Sequence, residues 1–367
     1  MIFPDGMPLR SSFTVRNIGP GSVTETMKRT LLVLMLLWST AVTAQPYRNL
    51  VFEGAGMRGL AYVGVLDHFE RAGILKEIQR VGGTSAGAIT ALAVSLGYSA
   101  EDLLKLIGNT KFGAFNDGSW SVAGGIHRLQ NHYGWYKGVE FEQWLSALIA
   151  ARTGNGDITF AELHKRGFKD LYITATCLNR QKLVVFSRET YPAMRVRDAV
   201  RVSMSIPLYF EAMFVDARGQ TFRSNEGRTD LDLMVDGGLL ANFPIFIFDK
   251  TVRDPSLGNI RVPNPETIGV RMDTDAQIAN DSTTRELAPL PITNLKEYLR
   301  AFYVITIESL NRSQLNEDDW KRTVSVSSVN IGEKVRDLSQ EEKDRLVNSG
   351  RAAASRFLSV RRNVGQR

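Results

Sequence analysis

Cysteine and histidine are both scarce in this chain of 367 residues, and no apolar run reaches bilayer length. The lone cysteine, Cys177, excludes an intrachain disulfide and a cysteine-rich zinc site. It stands in the apolar run Leu171–Leu178, where a buried structural thiol is expected. The four histidines are His68, His127, His132 and His164, and no pair has the spacing of a metal site within a helix. No metal or other cofactor is therefore expected. Low-complexity segments and internal repeats are also missing. With 43% hydrophobic and 23% charged residues the composition is that of a folded globular protein, which excludes wholesale disorder. The net charge of +6 permits an anionic membrane surface or nucleic acid as a partner and requires neither.

Near the N-terminus, Met27-Lys28-Arg29 precedes the apolar core Leu31–Trp38 and the small residues Ser39 to Ala44. A basic start, a short apolar core and Val42 and Ala44 before the cut match a secretory signal peptide over residues 27–44. The core is shorter than the roughly 20 residues of a membrane-spanning helix. A secreted or periplasmic chain is expected, with membrane association left open. No cysteine near the cut supports a lipoprotein anchor. Residues 1–26 read as an upstream extension outside the fold, with Met27 as the translation start.

After Gln45, strands and helices alternate, which predicts an α/β fold with a mainly parallel central sheet. Strands are expected at Asn49–Glu53, Ile78–Val81, Leu171–Cys177, Leu183–Phe186, Leu233–Val235 and Thr267–Arg271. Helices are expected at Leu60–Ala72, at Ala86–Leu96, and at Gly138–Arg152 with Phe141, Leu145, Leu148 and Ile149 on one face. Thr159 and Glu162 fit a capping box, as do Ser339 and Glu342 ahead of a last helix reaching about Leu358. Gly108–Gly134 reads as a long surface loop, and Asp216–Asp230 as a polar excursion. From about residue 275 the chain reads as largely helical. Its longest helix carries Leu295, Leu299, Phe302, Tyr303, Ile305, Ile307 and Leu310, a surface fit either for a lid or for the core. From Arg345 onward there are six arginines and no acid, which reads as a solvated, partly frayed tail or a membrane-surface contact.

Three short motifs carry the chemistry. Gly83-Thr84-Ser85-Ala86-Gly87 is a G-x-S-x-G elbow between a strand and a small-residue helix, which presents Ser85 as a nucleophile; the bland alternative is a glycine turn. Gly54-Ala55-Gly56-Met57-Arg58-Gly59 follows a strand and opens a helix, so its free N–H groups suit negative charge. A dinucleotide reading needs an acidic residue at the end of the second strand, and Gly82-Gly83-Thr84-Ser85 stands there instead. The anion expected beside a nucleophilic serine is the oxyanion of acyl transfer, and no nucleotide or nucleic acid is expected. Asp236-Gly237-Gly238 ends an apolar strand and can turn its carboxylate across the top of the sheet, or simply end the strand. No histidine follows Asp236, so the serine–acid–histidine order of α/β-hydrolases is absent.

A serine and an aspartate remain, and with them the chain resembles the patatin-like phospholipases. The family's glycine-rich oxyanion motif is matched by Gly54 to Gly59, its nucleophile elbow by Gly83 to Gly87, and its D-G-G/A motif by Asp236 to Gly238. Between them, Ala199 to Pro207 (AVRVSMSIP) resembles the family's "A-V-R-A-S-x-S-I-P" block. Ala55 and Val202 depart from the usual glycine and alanine; Ala55 keeps its N–H, so the hole survives if its φ is negative. The resemblance implies a three-layer α/β/α catalytic domain over 49–250, completed by residues 251–367. It implies a Ser85–Asp236 dyad, donors near Ala55, Gly56 and Met57, and a lipid or phospholipid substrate met at a membrane surface. Phospholipase A or lysophospholipase activity heads the expectation. A carboxylesterase or acyltransferase, and a non-catalytic lipid-binding module, are the alternatives. Arg58 reads equally as a phosphate-attracting residue and as half of an ion pair.

Overall fold

The computed structural model describes residues 47–118 and 121–364. The expected extension and signal peptide over 1–44 lie outside the described residues. Thirteen strands are described: β1 (Asn49–Phe52), β2 (Arg80–Gly83), β3 (Gly134–Tyr136), β4 (Asp170–Cys177), β5 (Lys182–Phe186), β6 (Leu208–Phe210), β7 (Met213–Val215), β8 (Thr221–Phe222), β9 (Asp232–Asp236), β10 (Lys250–Asp254), β11 (Gly258–Val262), β12 (Thr267–Asp273) and β13 (Thr323–Ser327).

Nine of them form one mixed sheet in the order β13-β12-β1-β2-β4-β9-β7-β8, with β5 paired to β4 as well. The run from β13 to β4 is parallel throughout, and β4, β5, β7, β8 and β9 pair antiparallel. Every residue of β1 is buried, as in a parallel sheet covered on both faces. The fold is α/β, as the alternation of elements predicts.

One edge of β4 decides where the chemistry sits. Ile173 pairs with both Gly83 of β2 and Phe186 of β5, and Ala175 with both Asp236 of β9 and Val184 of β5. A residue has one partner on each side. β2 and β9 therefore share a single edge of β4, and they run toward each other, because β2 is parallel and β9 antiparallel to it. Their C-terminal ends meet across Thr174.

Helix starts follow local chemistry. Thr159 and Glu162 form the expected capping box for Phe160–Lys165, and Ser99 and Asp102 form another for Ala100–Asn109. Phe141, Leu145, Leu148 and Ile149 are the buried face of Val139–Thr153. Four expectations need correction. The strand expected at Ile78–Val81 lies two residues later, because Gln79 and Arg80 both donate to Arg48 and only Arg80 onward pairs with β1. The expected loop Gly108–Gly134 holds the helix Val122–His132, started by the Ser121 side chain accepting from Gly124 N–H. Within the stretch expected to be helical after residue 275 stands β13, an edge strand of the sheet. The last helix, Gln340–Val364, runs past Leu358, and Arg351 pairs with Asp67 on the first α-helix, Ala61–Arg71, so this stretch of the basic tail is packed rather than frayed. Cys177 is buried, as expected.

Candidate active site

Ser85 caps the helix Ala86–Ser95 with φ 53° and ψ −123°, a backbone conformation that side chains rarely adopt. Its neighbours explain how the turn is held. A Cβ on Gly87 would stand 2.5 Å from Glu53 O and overlap Phe52 O, and one on Gly83 would overlap the Gly87 carbonyl. The Ser85 N–H donates to Ser203 Oγ at 2.9 Å, and Thr84 Oγ1 donates to Ala241 O at 2.8 Å. The Ser85 hydroxyl lies 3.3 Å from Met204 Sδ and is buried.

Asp236 closes β9 opposite this elbow. Its N–H donates to Ser205 O at 2.9 Å, and its Oδ1 accepts from Gly238 N–H at 2.7 Å. Burial pushes its carboxyl up to about 7, against the pull of the Gly238 hydrogen bond and of the nearby Ser85 hydroxyl. Among the described residues seven carboxylates are buried, and Glu53, Asp198, Glu211, Asp232, Asp281 and Asp319 each face an arginine. Asp236 forms no ion pair among them. A buried carboxylate with no cation beside it is costly to the fold and suited to exchanging a proton.

The glycine-rich segment divides its N–H groups. Gly54 N–H donates to Asn242 O at 3.0 Å, Met57 N–H to Glu333 O at 3.2 Å, and Arg58 N–H to Ala55 O at 3.2 Å. Met57 is thus engaged, contrary to expectation. Gly59 opens room instead, since a Cβ there would stand 3.0 Å from Ala86 Cβ. Ala55 and Gly56 N–H have no acceptor among the described residues, and neither has Ala86 N–H at the start of the nucleophile helix. Ala55 has φ −140°, so its extra methyl leaves the backbone unstrained, and the positive φ of 53° falls on Gly56. Arg58 is the ion-pair half, 2.9 Å from Glu333, with Nε donating to Ala55 O.

Several supporting residues escaped the sequence because their roles depend on distant partners. Asn242 donates to Gly54 O at 3.0 Å while accepting its N–H, and so clamps the glycine-rich segment to the end of the short helix Gly238–Ala241 after Asp236. Asn311 Oδ1 accepts from Asn242 N–H, and Asn311 Nδ2 donates to Gly238 O. Thr174 Oγ1 lies 2.5 Å from Thr84 Oγ1, in the gap between the two strand ends. Arg201, fully buried, holds Ser205 Oγ at 2.7 Å, so the block Ala199–Pro207 serves both sides: Ser203 supports the elbow and Ser205 supports Asp236. None of the four histidines bonds to Ser85 or Asp236; His164 pairs with Asp170 and His132 meets Arg223 O.

An apolar cleft begins beside the nucleophile at Gly56, Ala86 and Met204. Leu60, Val63, Ile89, Leu103, Phe115 and Trp144 continue its walls. Among the described residues no group of carboxylates, histidines or cysteine is placed to hold a metal, and no helix is long and apolar enough to cross a membrane.

The model of the patatin-like phospholipase family matches residues 50–249. Among curated proteins, the uncharacterized protein R571 of Acanthamoeba polyphaga mimivirus is 27% identical over 82% of this chain and 91% of its own length. The uncharacterized YqhO of Bacillus subtilis is 30% identical over 59% of this chain and 72% of its own. The probable lipid hydrolase 463L of Invertebrate iridescent virus 6 is 24% identical over 58% and 67%. Among solved structures, VipD from Legionella pneumophila superposes over 86% of this chain and 67% of its own, with TM-score 0.51 and 15% identity, a likeness of fold.

Proposed function

This chain belongs to the patatin-like phospholipase family, a family of lipid hydrolases, and we propose that Ser85 and Asp236 are its catalytic pair, cleaving carboxylic esters of lipids or phospholipids at a membrane surface through an acyl-serine. The observation that carries this reading is Asp236, the buried carboxylate without a cation, at the end of a strand that runs head-on into the strained serine.

In the first half of the reaction the Ser85 oxygen attacks the ester carbonyl as its proton passes to Asp236. The carbonyl oxygen, now negative, accepts from the free N–H groups of Ala55 and Gly56, with Ala86 N–H on the nucleophile's own side. Each such donor is worth about 3–4 kcal/mol at the transition state. Protonated Asp236 returns the proton to the leaving alkoxide. In the second half Asp236 takes a proton from the water that attacks the acyl-serine, then gives it to the departing Ser85 oxygen, which releases the fatty acid and restores both residues. A carboxylate raised to about 7 is matched to this work near neutral pH, whereas an ordinary aspartate near 4 is a weak base. The cleft beside Met204 has the apolar walls that an acyl chain requires, which supports phospholipase A or lysophospholipase chemistry over a small-ester role.

Fluorophosphonate labelling followed by mass spectrometry tests the assignment. One adduct on Ser85 is expected, absent in Ser85→Ala and slowed about 10²–10⁴-fold in Asp236→Asn, with the wild-type rate falling as pH drops below about 7. Wild-type protein that takes no adduct, or Asp236→Asn labelling at the parent rate, overturns the pair.

A further inference from the structure

We infer that the helix Leu295–Ser313 docks this protein onto an anionic lipid surface, an inference that rests on reading the site as a lipid hydrolase. The helix is polarised the wrong way round for a surface helix of a globular protein, which turns its apolar stripe inward. Leu295, Tyr298, Leu299, Phe302 and Ile305 recur at three- and four-residue spacing and so share one side, and they are 57–72% exposed. Leu290 and Ile292 in the preceding loop add to the exposed surface.

What fastens the C-terminal end of the helix to the body is polar. Glu308 pairs with Arg271 at 3.3 Å, and Arg312 pairs with Asp281 at 2.5 Å and Asp273 at 3.3 Å. Asn311 and Gln314 bind the short helix Gly238–Ala241 after Asp236 through Asn242 N–H, Gly238 O and Leu240 O. These anchors occupy the C-terminal turns and leave the stripe uncovered. From Leu295 to Ile305 it extends about 15 Å along the helix, the arrangement of an amphipathic helix that lies in the plane of a bilayer interface.

Charge selects the occupant. Residues 290–307 contain two cations, Lys296 and Arg300, and one acid, Glu297. The Glu297 carboxylate is taken by Thr293 N–H and Oγ1, both at 2.7 Å, at the start of the helix. In sequence the segment therefore combines apolar bulk with an excess of positive charge, which suits anionic headgroups. A second copy of the chain laid on the stripe would bring like charges together. Because Leu295–Ser313 is bonded directly to the short helix that follows Asp236, docking through it sets the catalytic edge down at the surface that carries the substrate.

Cosedimentation with vesicles tests this, using full-length Ser85→Ala protein so that turnover does not consume the lipid. Binding to vesicles of phosphatidylcholine with phosphatidylglycerol is expected, and a loss of about tenfold or more when Leu299, Phe302 and Ile305 are all changed to Glu. The same triple change in the active enzyme is expected to leave hydrolysis of a soluble short-chain ester within about twofold, which also reports that it folds. Lys296→Glu with Arg300→Glu, which spares the stripe, is expected to weaken binding to the anionic vesicles and leave binding to pure phosphatidylcholine unchanged. Parent protein that stays in solution, or a triple variant that binds like its parent, overturns the proposal. A dimer seen by light scattering and dissolved by the triple change overturns it in favour of self-association. Vesicle binding without hydrolysis of any ester would instead overturn the function proposed for Ser85 and leave the docking helix standing.

Discussion

Around Ser85 and Asp236 a carboxylate and a hydroxyl are buried without a cation beside them, whereas along Leu295–Ser313 Glu308 and Arg312 are held in ion pairs and Leu295, Tyr298, Leu299, Phe302 and Ile305 stand in water. Both regions depart from what folding alone favours, in opposite directions. In the first, unpaired polarity is kept inside by crowded backbone on every side. In the second, apolar surface is kept outside by polar anchors that fix the helix by its far end. The contrast teaches that a site can be recognised by what it leaves unmatched: charge in the interior, or apolar area at the surface.

The crowding is the quickest part of this contrast to break. Gly87→Ala places a methyl against the carbonyls of Phe52 and Glu53, and is expected to cost about 3 kcal/mol or more and to abolish ester hydrolysis. Gly108→Ala, in the helix Ala100–Asn109 with nothing within 4 Å of its added methyl, is expected to stabilise by about 0.5–1 kcal/mol. Urea denaturation of the two variants decides it; equal shifts would refute crowding as the reason for Gly87.

The unmatched charge has its own signature. With its carboxyl raised from 3.8 to about 7, folded Asp236 holds a proton that the unfolded chain gives up, so stability falls as pH rises between those values and stays lowered above them. Asp236→Asn removes that deficit. The variant is expected to gain little near pH 4 and progressively more up to pH 8, by at most about 4 kcal/mol, while losing activity. A gain that does not change with pH would show that the carboxylate is not strained by burial.

The smallest effect concerns the backbone at Ser85. Non-glycine residues in such conformations carry about 1–3 kcal/mol of strain, and glycine's extra freedom in the unfolded chain offsets about 1 kcal/mol. Ser85→Gly is therefore expected to be more stable than Ser85→Ala by about 1 kcal/mol, both being inactive. Thermal unfolding of the pair measures it, and an alanine variant as stable as the glycine one would mean that the elbow is relaxed.

Much of the crowded region is legible in the sequence, because collisions leave glycines: Gly83 and Gly87 mark the elbow, and Asp236 stands before two more. The capping boxes at Thr159 and Ser339 are legible for the same local reason. Asn242, Asn311 and Thr174 are not, since each matters through a partner far along the chain. The helix Val122–His132 hides behind its glycines, and β13 behind the helices around it. For Leu295–Ser313 the periodicity gives the stripe but not its direction. Direction is set by Glu308, Asn311 and Arg312, whose partners Arg271, Asn242 and Asp281 belong to other elements.

The shared edge of β4 also sets a measure. Gly83 pairs with Ile173 and Asp236 with Ala175, so the two strand ends are spaced by two residues of a third strand, about 7 Å. The separation of nucleophile and base is indexed to hydrogen-bond register and not to the chain that joins them. Loops between residues 86 and 235 can lengthen or shorten while the pair keeps its distance. Deleting one residue from 173–175 would slip one strand end against the other and turn Thr174 out of the gap.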